Sequence, residues 1–198
     1  MLEQLTERLA HHRPWRLRTR GREAGVLVAL TDRAEPEVVL TLRSKQLSTH
    51  QGQIAFPGGK RDPNDADLLA TALREAQEEV GLDAEQVRVI GSLGQLVSKH
   101  QLQVTPWVGI IPAHLELTPN PYEVDSIFRI PLSFFLQQNV LRVDEIAFRG
   151  KTHYVPAWEY EGEVIWGLTA YILVELLNIG FDAGLPMRPR PEHQENAL

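Results

Sequence analysis

The apolar positions along the chain change period several times, and each change marks an element. Ala24–Leu30 (AGVLVAL) and Glu37–Leu42 (EVVLTL) are short Val/Leu-rich runs separated by TDRAEPE. Continuous apolar runs bounded by turn residues predict strands, here two of them joined by a turn. Ser44–Gln53 is polar and predicts a loop. AFPGGKRDPND follows, and its two glycines and two prolines predict irregular backbone. Leu69, Leu73, Ala76 and Val80 then recur at helical spacing and predict a helix buried along that stripe. Asp65 or Asn64 is suited to cap its start, and Gly81 to end it in the left-handed conformation. Further strands are predicted over Val87–Val97, Val104–Ile111 and Glu123–Pro131, with a short helix over Leu132–Leu136. Val143–Arg149 and His153–Trp158 predict a hairpin, and Leu168–Ile179 a closing helix. Leu2, Leu5 and Leu9 predict a short amphipathic helix at the N-terminus. This mixed order predicts an α+β layering of helices on one sheet.

Length and composition narrow the class. A chain of 198 residues with a 43% apolar share suits one domain with a short appendage. It buries roughly 70% of its unfolded surface without needing staples. The absence of cysteine excludes disulfides, thiolate metal sites and cysteine nucleophiles, and fits a reducing, cytoplasmic setting. The net charge of −6 argues against a global grip on nucleic acid. MLEQLTERLAHHRPWRLRTR lacks the apolar core of a signal peptide. AYILVELLNIGF contains Glu175 and is too short to span a bilayer. From Asp182 onward, proline and polar residues predict a loose tail.

The chemistry concentrates in TALREAQEEVGL, Thr71–Leu82. Glu75, Glu78 and Glu79 fall on one helical face, where like charges repel by ~0.2–0.5 kcal/mol per pair. Such a face is ordinarily solvated, and Arg74 is spaced to pair with Glu78. The glycine-rich turn Pro57–Gly58–Gly59 changes the reading, because its backbone can approach a ligand closely. Clustered carboxylates beside free carbonyls form a hard-oxygen set suited to Mg²⁺ or Mn²⁺. A cation there would turn repulsion into binding and serve phosphate chemistry.

GKRDPNDADLLATALREAQEEVGL, Gly59–Leu82, resembles the Nudix box, G-x5-E-x7-R-E-U-x-E-E-x-G-U with U aliphatic. REAQEEVGL matches its core, with small Ala76 at one aliphatic position. Asp65 stands for the first Glu, and eight residues rather than seven separate it from Arg74. Both departures resemble the coenzyme A pyrophosphatase branch, whose upstream signature reads roughly L-L-T-x-R-S-x3-R-x3-G-x3-F-P-G-G. In VLTLRSKQLSTHQGQIAFPGG, residues Thr41, Arg43, Ser44, Gly52, Phe56, Pro57, Gly58 and Gly59 align with it, while Ser48 stands where it has Arg. The resemblance extends from about Ala24 to Asn178.

The resemblance implies a Nudix fold, with a mixed sheet between helices (α/β/α). Residues 1–22 would form a helical extension, 23–181 the hydrolase domain and 182–198 a flexible tail. It implies Mg²⁺ or Mn²⁺ held by Glu78 and Glu79, with Glu75 a further ligand or the base that activates water, and the Gly59 carbonyl completing the shell. Arg74 would position a carboxylate, and Asp65 would either serve the metal or cap the helix. Glu123 is expected as a further catalytic carboxylate, against a surface ion pair. Arg43 is the expected phosphate cation, with Lys45, Phe56, Lys60 and Lys99 as further substrate-binding residues. His50 and His100 fit solvated loops, and Trp166 and Tyr171 fit packing. The implied reaction is hydrolysis of coenzyme A or its thioesters to adenosine 3',5'-bisphosphate and a 4'-phosphopantetheine product. ADP-ribose, NADH, nucleoside triphosphates and a non-catalytic nucleotide-binding module are the alternatives. The expected partner is a small-molecule diphosphate, neither nucleic acid nor membrane, with a homodimer admissible.

Overall fold

The structure is a computed structural model and describes residues 1–17, 21–45, 52–137, 142–148 and 151–187, without the side chains of 146–148 and 151–153. The elements run α1 (Leu2–His11), β1 (Arg22–Asp32), β2 (Glu37–Arg43), β3 (Ile54–Ala55), β4 (Gly58–Lys60) and α2 (Leu68–Val80). They continue through β5 (Arg88–Ser92), β6 (Leu96–Val97), β7 (Leu102–Pro112), β8 (Val124–Pro131) and α3 (Leu132–Leu136). The chain then forms β9 (Arg142–Phe148), β10 (Lys151–Tyr160), β11 (Glu163–Trp166) and α4 (Gly167–Phe181).

β1 and β7 pair in parallel along their whole lengths at the centre of a mixed sheet. The sheet path is β3-β2-β1-β7-β5, with β4 on β1, β6 on β7 and β8 on β2. β1 is apolar on both sides because both faces of the sheet are covered. Leu27 and Ala29 join Ala72, Ala76 and Val80 of α2 on one face. Val28 and Leu30 join Leu5 and Leu9 of α1 and the apolar side of α4 on the other. This is the α/β/α arrangement, and α1 belongs to its core, since Leu5 is wholly buried. A second, three-stranded sheet, β11-β10-β9, packs on α4.

Several expectations are corrected in detail. The segment after Ala55 is only partly irregular: Gly58–Lys60 pair with Ala24–Val26 as strand β4. Val87–Val97 is two strands, interrupted where the Gly94 N–H donates to Glu175 (2.8 Å) instead of continuing the ladder. Asp67, not Asp65 or Asn64, caps α2 by accepting the Ala70 N–H at 2.8 Å. The buried face of α2 runs through Thr71, Ala72, Ala76, Glu79 and Val80, while Leu69 and Leu73 are only half-buried. Small residues face β1 because the helix lies very close to it. Gly81 ends α2 at φ 68°, as its position predicts. No helix among the described residues is long and apolar enough to cross a membrane.

Candidate active site

The site grows from a fork in the sheet. Near Leu30 the neighbour of β1 is Val38 of β2, but along Ala24–Val26 it is β4. Beyond Val38, β2 parts from β1 and takes β3 as its neighbour, with Thr41 opposite Ala55 and Leu42 opposite Ile54. α2 packs on both β1 and β4.

Glu79 spans the fork. Its Oε2 accepts the Gly58 N–H (3.0 Å), and its Oε1 accepts from Arg43 Nη1 (3.1 Å). The residue is 1% exposed. Burial pushes its carboxyl up to about 7 despite those two partners, and the charges of Glu75 and Glu123 add to the rise. Glu75 lies one turn earlier and is also raised, chiefly by burial. A Cβ added to Gly59 would lie 2.4 Å from the Glu75 carboxylate, so only glycine lets β4 run this close.

Arg74 organises the outer side. It pairs with Glu75 Oε1 and Glu78 Oε2, each at 3.0 Å. Its Nε reaches Asp65 Oδ1 at 3.0 Å, and its Nη2 donates to Asp65 Oδ2 and to the Lys60 carbonyl, both at 3.1 Å. Asp65 is almost fully buried and also accepts from Thr71 Oγ1 and the Asp62 N–H, each at 2.8 Å. The guanidinium holds the Asp65 carboxyl well below the usual range. Asp65 is therefore the anchor of Arg74 and does not cap the helix.

Glu123 arrives from a loop stitched to the end of α2. The Thr118 N–H donates to the Val80 carbonyl (3.0 Å), the Asn120 N–H to the Glu79 carbonyl (2.9 Å), and the Ser44 N–H to the Glu123 carbonyl (2.9 Å). Asn120 Nδ2 lies 3.5 Å from Glu123 Oε1, and among the described residues no cation pairs with this carboxylate.

The donors fit a hard divalent cation in kind and in charge: they are all oxygens, and burial, with a smaller push from neighbouring carboxylates, raises Glu75 and Glu79. Their aim is different. No group of three acidic or histidine side chains among the described residues is converged on a metal position. Each carboxylate of α2 is turned to a guanidinium, that of Arg43 or that of Arg74.

Residues 21–132 match the family of the NUDIX domain. The chain belongs to the Nudix family. It is similar to the uncharacterized Nudix hydrolase NudL of Photorhabdus laumondii, 44% identical over 163 residues, covering 82% of this chain and 87% of the relative. The NudL of Citrobacter koseri is 48% identical over 160 residues, covering 80% and 83% respectively. This membership makes the protein a Nudix hydrolase acting on pyrophosphate bonds of small molecules, a family that generally uses divalent metal ions. Two solved structures share the fold. A MutT/nudix family protein from Enterococcus faecalis gives a TM-score of 0.53 at 16% identity, covering 98% of this chain and 73% of that one. A C. elegans Ap4A hydrolase gives 0.50 at 19%, covering 58% and 84%.

The Nudix fold thus gathers Arg43, Gly58, Gly59, Arg74, Glu75, Glu78, Glu79 and Glu123. Other expected residues are not gathered in the same way. Phe56 is 4% exposed and packs in the core. Lys99 and His100 are exposed at the turn between β6 and β7, across β1 from β4. Lys60 is exposed and reaches the site through its carbonyl. Lys45 is exposed two residues beyond Arg43. Trp166 is 40% exposed rather than packed, whereas Tyr171 donates its hydroxyl to the Tyr154 carbonyl (2.5 Å). Ser48 and His50 lie outside the described residues. Sequence reasoning missed the Gly58 N–H, the Asn120 clamp and the anchoring role of Asp65. Asn120–Pro121, one residue short of Glu123, was the available signal for the clamp, since Asn favours turns that fold back on their own backbone.

Proposed function

We propose that this Nudix hydrolase cleaves the diphosphate of coenzyme A or its thioesters, giving adenosine 3',5'-bisphosphate and a 4'-phosphopantetheine product. The observation that carries the reading is the 3.1 Å contact between Arg43 and Glu79. It makes one site of two stretches, the upstream segment Val39–Gly59 and the helix of the Nudix box. The first resembles the coenzyme A branch, and the second carries the carboxylates.

In this reading Glu75, Glu78 and Glu79 would hold Mg²⁺ or Mn²⁺ together with the Gly59 carbonyl. Such a cation supplies neutralisation of diphosphate charge and acidification of the attacking water. Arg74 keeps Glu75 and Glu78 in position through its bond to Asp65. Glu123, the one of these five carboxylates without a guanidinium partner among the described residues, accepts the proton of the attacking water. Water adds to one phosphorus, the bond from that phosphorus to the bridging oxygen breaks, and the other phosphate leaves. Arg43 and, more peripherally, Lys45 bind phosphate oxygens.

The test is incubation with Mg²⁺ or Mn²⁺ and coenzyme A, acetyl-coenzyme A, NADH, ADP-ribose or dGTP, with products read by mass. Adenosine 3',5'-bisphosphate from the coenzyme A substrates alone is expected. Cleavage of another compound in their place would overturn the substrate and move specificity to Ser48 and its sequence neighbours.

A further inference from the structure

Arg43 serves a partner that a divalent cation would also take. The Glu79 side chain is 2% exposed, and among the described residues the cation paired with it is Arg43. A buried carboxylate without a counter-charge is costly, so a cation or a proton must stay with it. A divalent ion on Glu79 would supply that charge and would repel the guanidinium from the same buried group. Arg43 meanwhile is poorly satisfied where it lies. One Nη donates to Glu79, while its Nε is buried with no hydrogen-bond partner among the described residues. A guanidinium carries five N–H donors in a fork that matches phosphate. The neighbouring backbone also leaves the regular ladder, for the pairing of β2 with β8 shifts register between Leu42 and Arg43.

We propose that Arg43 is a phosphate ligand held in reserve: it neutralises Glu79 until a divalent cation takes that carboxylate, and then turns its guanidinium to a phosphate of the substrate. The inference rests on the metal-and-diphosphate reading of this site and does not depend on coenzyme A being the substrate. It ties metal loading to phosphate affinity. Without metal the guanidinium is spent on Glu79 and adds nothing to anion binding. With metal it is free. By linkage, the anion tightens metal binding through the same residue.

The test is a calorimetric titration with methylene-bridged ADP, which is not cleaved between its phosphorus atoms, with and without Mn²⁺. Wild type, Arg43→Gln and Arg43→Lys are compared, and Mn²⁺ binding alone is followed by electron paramagnetic resonance. With Mn²⁺ present, Arg43→Gln is expected to weaken the analogue about tenfold or more, the equivalent of one charge-assisted hydrogen bond. Without Mn²⁺ it changes binding less than about twofold, and Mn²⁺ alone binds at least as tightly as to wild type. Arg43→Lys keeps a counter-charge on Glu79 and so preserves the fold if Arg43→Gln does not, yet it loses the fork. Its weakening, too, appears only with Mn²⁺. Equal weakening with and without Mn²⁺ would make Arg43 a permanent phosphate ligand and overturn the proposal. No weakening in either condition would leave it as the neutraliser of Glu79 alone, and also overturns it. If the analogue fails to bind wild type even with Mn²⁺, the metal-and-diphosphate reading falls first and the reserve role with it.

Discussion

One guanidinium, that of Arg74, touches Asp65, Glu75, Glu78 and the Lys60 carbonyl, so side-chain order on the outer half of the site runs through it. Asp65→Asn leaves that cation without its buried counter-charge. The expected cost is about 3 kcal/mol, read by urea denaturation at neutral pH. The sign with pH follows from the lowered carboxyl. Its stabilisation is complete above the unfolded value near 4 and is lost as pH falls toward the depressed folded value. Wild type should therefore lose stability on acidification more steeply than Asp65→Asn, and equal slopes would refute the anchor. Glu78 is half-exposed, so Glu78→Gln should keep the wild-type melting temperature while losing most turnover. Glu123→Gln should lower kcat by about 10²–10⁴, measured at saturating metal. Parent-like turnover in either variant would break the corresponding assignment. Sequence spacing pointed to the three glutamates directly. It could not tell an anchor from a cap at Asp65, because that depends on burial and on reach across nine positions.

At the scale of elements, α2 and α4 show what periodicity conveys and what it omits. The extent of α2 was legible from its apolar spacing and from Gly81. Its buried face was legible only in part: Ala76 and Val80 are buried as expected, but contact with β1 and β4 selects Thr71, Ala72 and even Glu79 over the larger Leu69 and Leu73. α4 carries one carboxylate, Glu175, among apolar residues. It accepts the Gly94 N–H and lies 3.9 Å from His12 Nε2. Burial raises this carboxyl, with Arg16 and the Gly94 N–H opposing. A raised folded value means the native state prefers the proton, so stability falls as pH rises beyond the ordinary carboxylate range. Glu175→Gln keeps an acceptor for Gly94 and should remove that loss, making the variant the more stable one at pH 8 and closer to wild type at pH 4. Thermal melts at the two pH values decide it, and a variant destabilised equally at both would contradict the burial argument.

For the whole molecule, the N-terminal helix is part of the main core. Leu5 is fully buried, and α1 approaches α4 so closely that a Cβ on Gly180 would lie 2.6 Å from Leu5 Cδ1. Leu5→Ala should cost about 2–5 kcal/mol in urea unfolding, as a core cavity does. A cost below about 0.5 kcal/mol would mean that α1 behaves as a surface appendage. The proposed metal and substrate site lies with α2 on the opposite face of the sheet, so any loss of activity in this variant should track loss of folded protein.

By itself the sequence determined the order and kind of most elements, the Nudix box and its three glutamates, and the arginine of the preceding strand. Those features are local: a run, a period or a motif contains the information. The tertiary structure decided which helix face is buried, where β1 exchanges β2 for β4, and which cation each carboxylate meets. These depend on segments far apart in the chain. Arg43 and Glu79 are 36 positions apart and touch because the sheet forks between β2 and β4, which no local pattern encodes.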